Sequence, residues 1–417
     1  MPVYPVAGIL GPDGAPTCGP TTITIADGMI AGLSPDTRGG PASPLVAMPP
    51  LVNSHDHGRG LGLTSVGITD GPLEAWIDRL SADRRQQREL VGQAARLLLA
   101  KGVGAAVFCV NPSGPDLETE IEEACAAACS AGIRAAVAVP FADTGGRMRG
   151  RADRTDNAEL ADYLELFARL SARHFGVDLQ LGPVGPQWVT EGALSMLAEF
   201  AVANGVRMHM HLLESPAQRA WADELYPEGV VTWLDELGVL GPHMWFAHGT
   251  QLRTEEMALL AARGCGLAVN ASSNLRLCSG FAPVGTARRE GIDLAMGLDG
   301  LSLNEDSDPW TELRLLRGLA QAQLQERVCA AEVLALGFNA AALGTRQPEP
   351  IAEGRPADLL VVDIGDRVQL LGHPDWSPAD IVLAAPVSVH ALWVAGTAVH
   401  QTEEVRQPVP LSTGGLP

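Results

Sequence analysis

From about residue 51 to residue 297 the chain alternates short apolar or β-branched runs with longer amphipathic stretches rich in Ala and Leu. The short runs are bounded by Gly, Pro or polar residues and are too brief for helices. They predict strands leading into His55 and at 104–110, 133–139, 179–182, 206–212, 244–247, 266–270 and 293–297. The intervening stretches, among them 72–101, 116–131, 157–175 and 192–204, repeat apolar residues at helical spacing. Eight strands alternating with helices predict an α/β fold of the (β/α)8 TIM-barrel type. A doubly wound open sheet is the alternative that periodicity alone leaves standing.

The two ends have a different texture. Residues 1–50 read as short strands broken by turn signals such as Gly11-Pro12-Asp13-Gly14 and Ser34-Pro35-Asp36. Apolar runs return at 357–362, 381–383, 387–394 and 397–400 and read as strands again. The pattern therefore predicts one small β domain built from 1–50 plus 345–417, flanking a barrel over 51–344, with a Pro- and Gly-rich tail from residue 407.

Composition adds limits. With 417 residues and 46% hydrophobic content the chain can bury a large core. Its 49 acidic against 29 basic residues, a formal net charge of −20, argue against a nucleic-acid backbone or an anionic membrane as partner. No apolar run is long enough to cross a bilayer and the first residues lack a secretory pattern, so a cytoplasmic location is expected. The seven cysteines are scattered, and Cys125 and Cys129, four apart on an expected helix, read as buried reduced thiols.

The candidate chemistry lies at the ends of the expected strands. His55 and His57 stand two apart, so on a strand both can face one ion. The fifth strand ends His209-Met210-His211-Leu212-Leu213-Glu214, the sixth ends at His248, and the eighth runs into Asp299-Gly300. In a barrel these strand ends converge on the active site. His55, His57, His211 and Asp299 offer donors suited to one divalent ion, zinc first, with iron, manganese or nickel also compatible. A bound metal lowers the pKa of water towards neutrality. Asp299 can accept the water's proton, Glu214 can protonate a substrate nitrogen, and His248 can orient the water or stabilise an oxyanion. His209 faces the same way as His211 one step deeper, as a supporting or core residue.

In this order, HxH, HxxE, His and Asp, the chain resembles the amidohydrolase superfamily, in its mononuclear aminohydrolase branch of deaminases and triazine hydrolases. The likeness extends to NASSNLRLCSGFAP at 270–283, to Gly297-Leu298-Asp299-Gly300 followed by Asn304, and to Gly354-Arg355-Pro356-Ala357-Asp358-Leu359. This last run resembles a turn of that branch's flanking β-sandwich and so implies a β-sandwich for 1–50 plus 345–417 beside a catalytic barrel over 51–344. Leu298 stands where that branch usually has threonine. The resemblance implies metal ligation by His55, His57, His211 and Asp299, catalysis by Glu214, His248 and Asp299, and a homodimer. Binuclear members commonly bridge two metals through a lysine on the fourth strand. The single lysine here, Lys101, precedes the second strand, which implies one metal.

Four residues are candidates for substrate binding. Gln187 can read the edge of an N-heterocycle or cap its own loop. Trp76 and Trp188 can stack on a ring or pack a lid, and Arg59 can meet a substrate carbonyl or brace the first loop. Ser273, Asn274 and Asn304 read as a supporting shell. The function expected is metal-dependent hydrolytic deamination of a small N-heterocycle. The alternatives are opening of a cyclic amide or displacement of chloride, alkylamine or sulfide at the same site, and a non-catalytic metal-binding scaffold.

Overall fold

A computed structural model of the protein describes residues 1–35, 43–60, 62, 67–80, 87–112, 116–145, 148–150, 157–300, 308–344 and 348–402. Asn304 and the tail from residue 407 lie outside the described residues. At the N-terminal end run β1 (Val3–Val6), β2 (Gly8–Leu10), β3 (Pro16–Cys18), β4 (Thr21–Ala26), β5 (Met29–Pro35) and β6 (Leu45–Met48). The next eight strands are β7 (Leu51–Asp56), β8 (Val103–Cys109), β9 (Arg134–Phe141), β10 (Asp178–Pro183), β11 (Met208–Leu212), β12 (Met244–His248), β13 (Gly266–Val269) and β14 (Asp293–Met296). Parallel and neighbouring in strict chain order, they form one sheet. The two edges meet where Leu298 and Asp299 donate their N–H groups to His55 O at 3.2 and 2.9 Å. The sheet is thus a barrel and not an open doubly wound one.

Helices follow the strands in turn. They are α1 (Leu73–Leu80), α2 (Gln87–Ala100), α3 (Leu117–Ala131), α4 (Asn157–Ser171), α5 (Glu191–Asn204) and α6 (Pro216–Leu225). After these come α7 (Val230–Glu236), α8 (Thr254–Ala262), α9 (Ala271–Arg276), α10 (Val284–Arg289), α11 (Pro309–Leu324) and α12 (Ala330–Phe338). The stretch 72–101 contains both α1 and α2, with 81–86 between them outside the described residues.

Small residues fill the inside of the barrel. Ala105, Ala136, Ala138 and Ala295 leave room for Trp245, and Gly266 is required beside it because a Cβ there would lie 2.2 Å from the indole. Beneath them the turn Ala341–Leu343 packs into the same cluster, and Ala342 O accepts from Gln180 Nε2 at 2.7 Å. This packing fills the barrel floor, the end opposite the carboxyl ends of the strands.

Both chain ends contribute to a second layer. Strands β15 (Leu359–Asp363), β16 (Ser388–Val394) and β17 (Thr397–Gln401) join β6, β2 and β3 in a six-stranded sheet, and β1, β4 and β5 form a separate one. Tyr4, Ile23, Ile25, Leu359 and Trp393 share one core between the sheets. Residues 381–383, expected as a strand, instead end helix α13 (Pro378–Leu383). Ser377 and Asp380 form a capping box there with Pro378 in the first turn, and such a local start signal outweighs a three-residue apolar run. The expectation for the helical cysteines is also half corrected. Cys125 is buried, but Cys129, in the last turn of α3, is exposed.

Candidate active site

Four strands bring the histidines and the aspartate together. His57 Nδ1 lies 2.8 Å from Cys109 O at the end of β8, and His211 Nδ1 lies 2.8 Å from Val184 O just beyond β10. A carbonyl only accepts, so both rings carry their proton on Nδ1 and present an unprotonated Nε2. These two Nε2 atoms face each other at 3.2 Å. His55 Nε2 and His57 Nε2 lie 3.1 and 3.3 Å from Asp299 Oδ1. His55 Nε2 and Asp299 Oδ1 are buried without a hydrogen bond.

Facing lone pairs beside a carboxylate repel unless a cation lies between them. Ligands 2.0–2.1 Å from a tetrahedral ion stand about 3.3 Å apart, which matches the separations found here. The donor set therefore fits one divalent ion. A second grouping, His55 with Cys109 and His209, is occupied by its own contacts, because His55 Nδ1 bonds His209 Nε2 at 2.9 Å.

Burial sets the protonation states. It lowers His55 to about 4, and it holds His209 and His211 well below the usual histidine range, with the neighbouring imidazoles adding to the effect. All three are neutral near pH 7, which for His55 and His211 is the state that metal ligation requires. For Asp299 burial acts upwards, but the positive charge of His248 and protons on the facing Nε2 atoms of His55 and His57, where those rings carry them, outweigh it and hold the carboxyl well below its ordinary value. Ser273 Oγ donates to Asp299 Oδ2 at 2.5 Å. Glu214 moves the other way: burial first, then the charges of Asp299 and Glu74, push it well above the carboxylate range. Glu214, His248 and Asp299 lie within 4.8 Å of one another, so a protonated and an ionised carboxyl share one site.

The backbone is shaped around these groups. His248 and Asp299 both adopt positive φ, 73° and 61°, a strained conformation for residues other than glycine and one that is concentrated at functional sites. Gly297 is needed because a Cβ there would lie 2.0 Å from Asn270 Oδ1 and 3.1 Å from His55 Cβ. Asn274 Oδ1 stands 2.9 Å from His248 Nδ1, and Gln218 Oε1 accepts the Glu214 N–H at 2.8 Å.

Around the mouth, Gln187 is fully buried and its carboxamide has no hydrogen-bond partner among the described residues, so it makes none of the bonds a loop cap requires. Trp76 packs with Ile68, Leu73 and Leu277. Arg59 is buried, and Trp188 is half-buried with its carbonyl bound by Asp143 N. The contact of His209 with His55, the two carbonyl anchors, Gln218 and Glu74 were not assigned from sequence. The carbonyls have no residue-type signature, and only the HxH spacing at 209–211 hinted at the first.

Comparison with known proteins decides the family. The family model described as "Amidohydrolase family" matches residues 46–399. The chain belongs to the amidohydrolase family. Like its relatives, this amidohydrolase is an enzyme of a metal-dependent hydrolase family. It is 30% identical over 370 residues to the 5-methylthioadenosine/S-adenosylhomocysteine deaminase of Moorella thermoacetica, covering 86% of this chain and 82% of that one. It is 29% identical over 362 residues to the 8-oxoguanine deaminase of Pseudomonas aeruginosa, covering 82% and 80%. Among solved structures, an adenosine deaminase from Xanthomonas campestris with bound zinc matches with a TM-score of 0.75 at 24% identity, over 95% of this chain and 92% of that one. A triazine hydrolase from Arthrobacter aurescens matches with a TM-score of 0.78 at 20% identity, over 96% and 95%. These structural likenesses concern the fold. Among the described residues no helix is long and apolar enough to cross a membrane.

Proposed function

We propose that this amidohydrolase hydrolytically deaminates a small aminated N-heterocycle, using one divalent ion, zinc by first choice, held by His55, His57, His211 and Asp299. The observation that carries the reading is the pair of carbonyl-pinned imidazoles, His57 and His211, whose bare Nε2 atoms meet at 3.2 Å beside Asp299. When bound, such an ion lowers the pKa of water towards neutrality. Asp299, ionised and steadied by Ser273, takes up the proton that the attacking water releases. Glu214, kept protonated, delivers its proton to the ring nitrogen of the attacked C=N bond, which that addition requires. Proton transfer through Asp299 and Glu214 then lets ammonia leave. His248, with Nδ1 directed to Asn274 and a bare Nε2, is suited to orient the water as an acceptor.

Gln187 is the residue we assign to reading the ring edge, because a buried amide with no partner has its full donor and acceptor capacity left for a ligand. Trp76, Trp188 and Arg59 complete the proposed substrate side, and Asn274 and Ser273 the support. Deaminases among the relatives support loss of ammonia over displacement of chloride, alkylamine or sulfide. A cytoplasmic homodimer belongs to the same proposal, and light scattering tests its oligomeric part. The test of function is a panel of aminated purines and their nucleosides, pyrimidines, pterins, triazines and cyclic amides, incubated with metal-loaded enzyme and read by mass spectrometry. Exchange of NH for O with release of ammonia is the expected result. Addition of a whole water, or loss of another group, would select the alternative chemistry.

A further inference from the structure

Arg149, which has no part in the chemistry above, is only 2% exposed. It lies between β9 and α4 and ties two other segments of the barrel mouth together. Its Nε donates to Pro186 O at 2.8 Å and its backbone N–H donates to Gln187 O at 2.8 Å. On the far side its guanidinium donates to the Tyr226 hydroxyl and packs over Trp233 at 4.5 Å, while Arg149 O accepts the Trp221 indole N–H at 2.9 Å. The rings of Trp221 and Tyr226 complete a cage, with centroids 5.4 and 5.3 Å from the guanidinium carbon. Glu191 approaches at 3.6 Å but is nearly half exposed, so planar stacking and the donor fork, not the ion pair, account for the choice of arginine.

The segments joined in this way are those the substrate would meet. Pro186 and Gln187 follow Val184, the carbonyl that pins His211, and α6 begins two residues after Glu214. Gln187 is buried with an unpartnered carboxamide, so no hydrogen bond of its own side chain fixes where that amide points. Its main chain must do so, and Arg149 grips that main chain at two successive carbonyls.

We propose that Arg149 is a positioning residue that sets the aim of the Gln187 carboxamide at the substrate ring edge, and through it substrate discrimination, without touching the substrate. The inference rests on the reading of Gln187 as the ring-edge amide. Lysine in its place keeps the charge but cannot serve Pro186 O and the Tyr226 hydroxyl at once. Small displacements of a positioning group carry large kinetic effects, so R149K is expected to lose about tenfold to a hundredfold in kcat/KM, mostly through KM.

The experiment is a double-mutant cycle of R149K and Q187A on the fastest substrate of the panel, with metal content and thermal midpoint measured for each protein. The expected result is raised KM in both single variants, near-native kcat and metal content in R149K, and no further rise in KM when R149K is added to Q187A. An R149K effect that adds in full to that of Q187A, or an R149K protein with lowered stability and native KM, overturns the inference. A native KM in Q187A overturns instead the reading of Gln187. Y226F, which keeps the ring and removes the hydroxyl that accepts from Arg149 and donates to Glu191, should move KM in the same direction as R149K and serves if R149K does not fold.

Discussion

His209 gives a test of the metal site that needs no substrate. It is buried, and its Nε2 lies 2.9 Å from His55 Nδ1 with the two rings parallel to within 3°. If His55 offers Nε2 to the ion, its Nδ1 carries the proton and His209 Nε2 accepts it, so His209 must keep its own proton on Nδ1, which has no partner among the described residues. Replacing His209 with leucine removes the acceptor and leaves the buried N–H only the weak acceptor Cys109 Sγ, 3.5 Å away, at a cost of about 1–3 kcal/mol. At about 1.4 kcal/mol per factor of ten, metal affinity should fall roughly tenfold to a hundredfold. Charge is not involved, since burial keeps His209 neutral near pH 7. H209Q, which restores an acceptor, should recover most of the loss. The assay is competition with a chromophoric metal chelator at pH 7.5, with folding checked by circular dichroism. Unchanged affinity in a folded H209L protein would refute the tautomer assignment, and with it the way the site is held.

Three further outcomes follow from the same geometry. Glu214→Gln keeps the shape of the side chain and removes its proton, so kcat should fall by at least about a hundredfold while the metal is retained; native turnover would sink the proton-donor role. Ser273→Ala deletes the hydrogen bond that stabilises ionised Asp299, so the acid limb of the kcat profile should shift to higher pH, and an unmoved limb would speak against it. In metal-free protein the folded pKa of His55, about 4, lies below its unfolded value near 6.5, so the unfolded state binds more protons between the two. Stability is then fully present above pH 6.5 and lost as pH falls, by about 2 kcal/mol at pH 5 from His55 alone, with His209, His211 and His248 acting in the same direction. Urea unfolding at pH 7.5 and 5 measures this, and a flat profile contradicts it.

Much of the barrel was legible because its strands are short and buried on both faces, so each stands out as an apolar run between longer amphipathic helices. Closure was not legible from periodicity. It depends on two backbone bonds to His55 O, which any residues could make, and was inferred from the order of motifs. The candidate ligands and proton carriers, His55, His57, His211, Glu214, His248 and Asp299, fell at strand ends where the fold makes them converge. What stayed hidden was whatever acts through the main chain or through distant segments: the carbonyls of Cys109 and Val184, the depth at which His209 meets His55, and the grip of Arg149 on the Gln187 loop. The run at 381–383 misled for a related reason, since three apolar residues fit a strand or a helix equally and the deciding signal was the Ser377 cap before them.

The central claim is that one divalent ion in this cluster of imidazoles drives loss of ammonia from a heterocycle. Titrating metal-stripped enzyme with zinc while following ammonia release from an aminated substrate tests it most directly. Activity should rise from near zero and level off at a single metal per chain, with one ammonia for each molecule of product. Full turnover by the stripped protein, a break at two metals per chain, or product formed without ammonia would contradict the account.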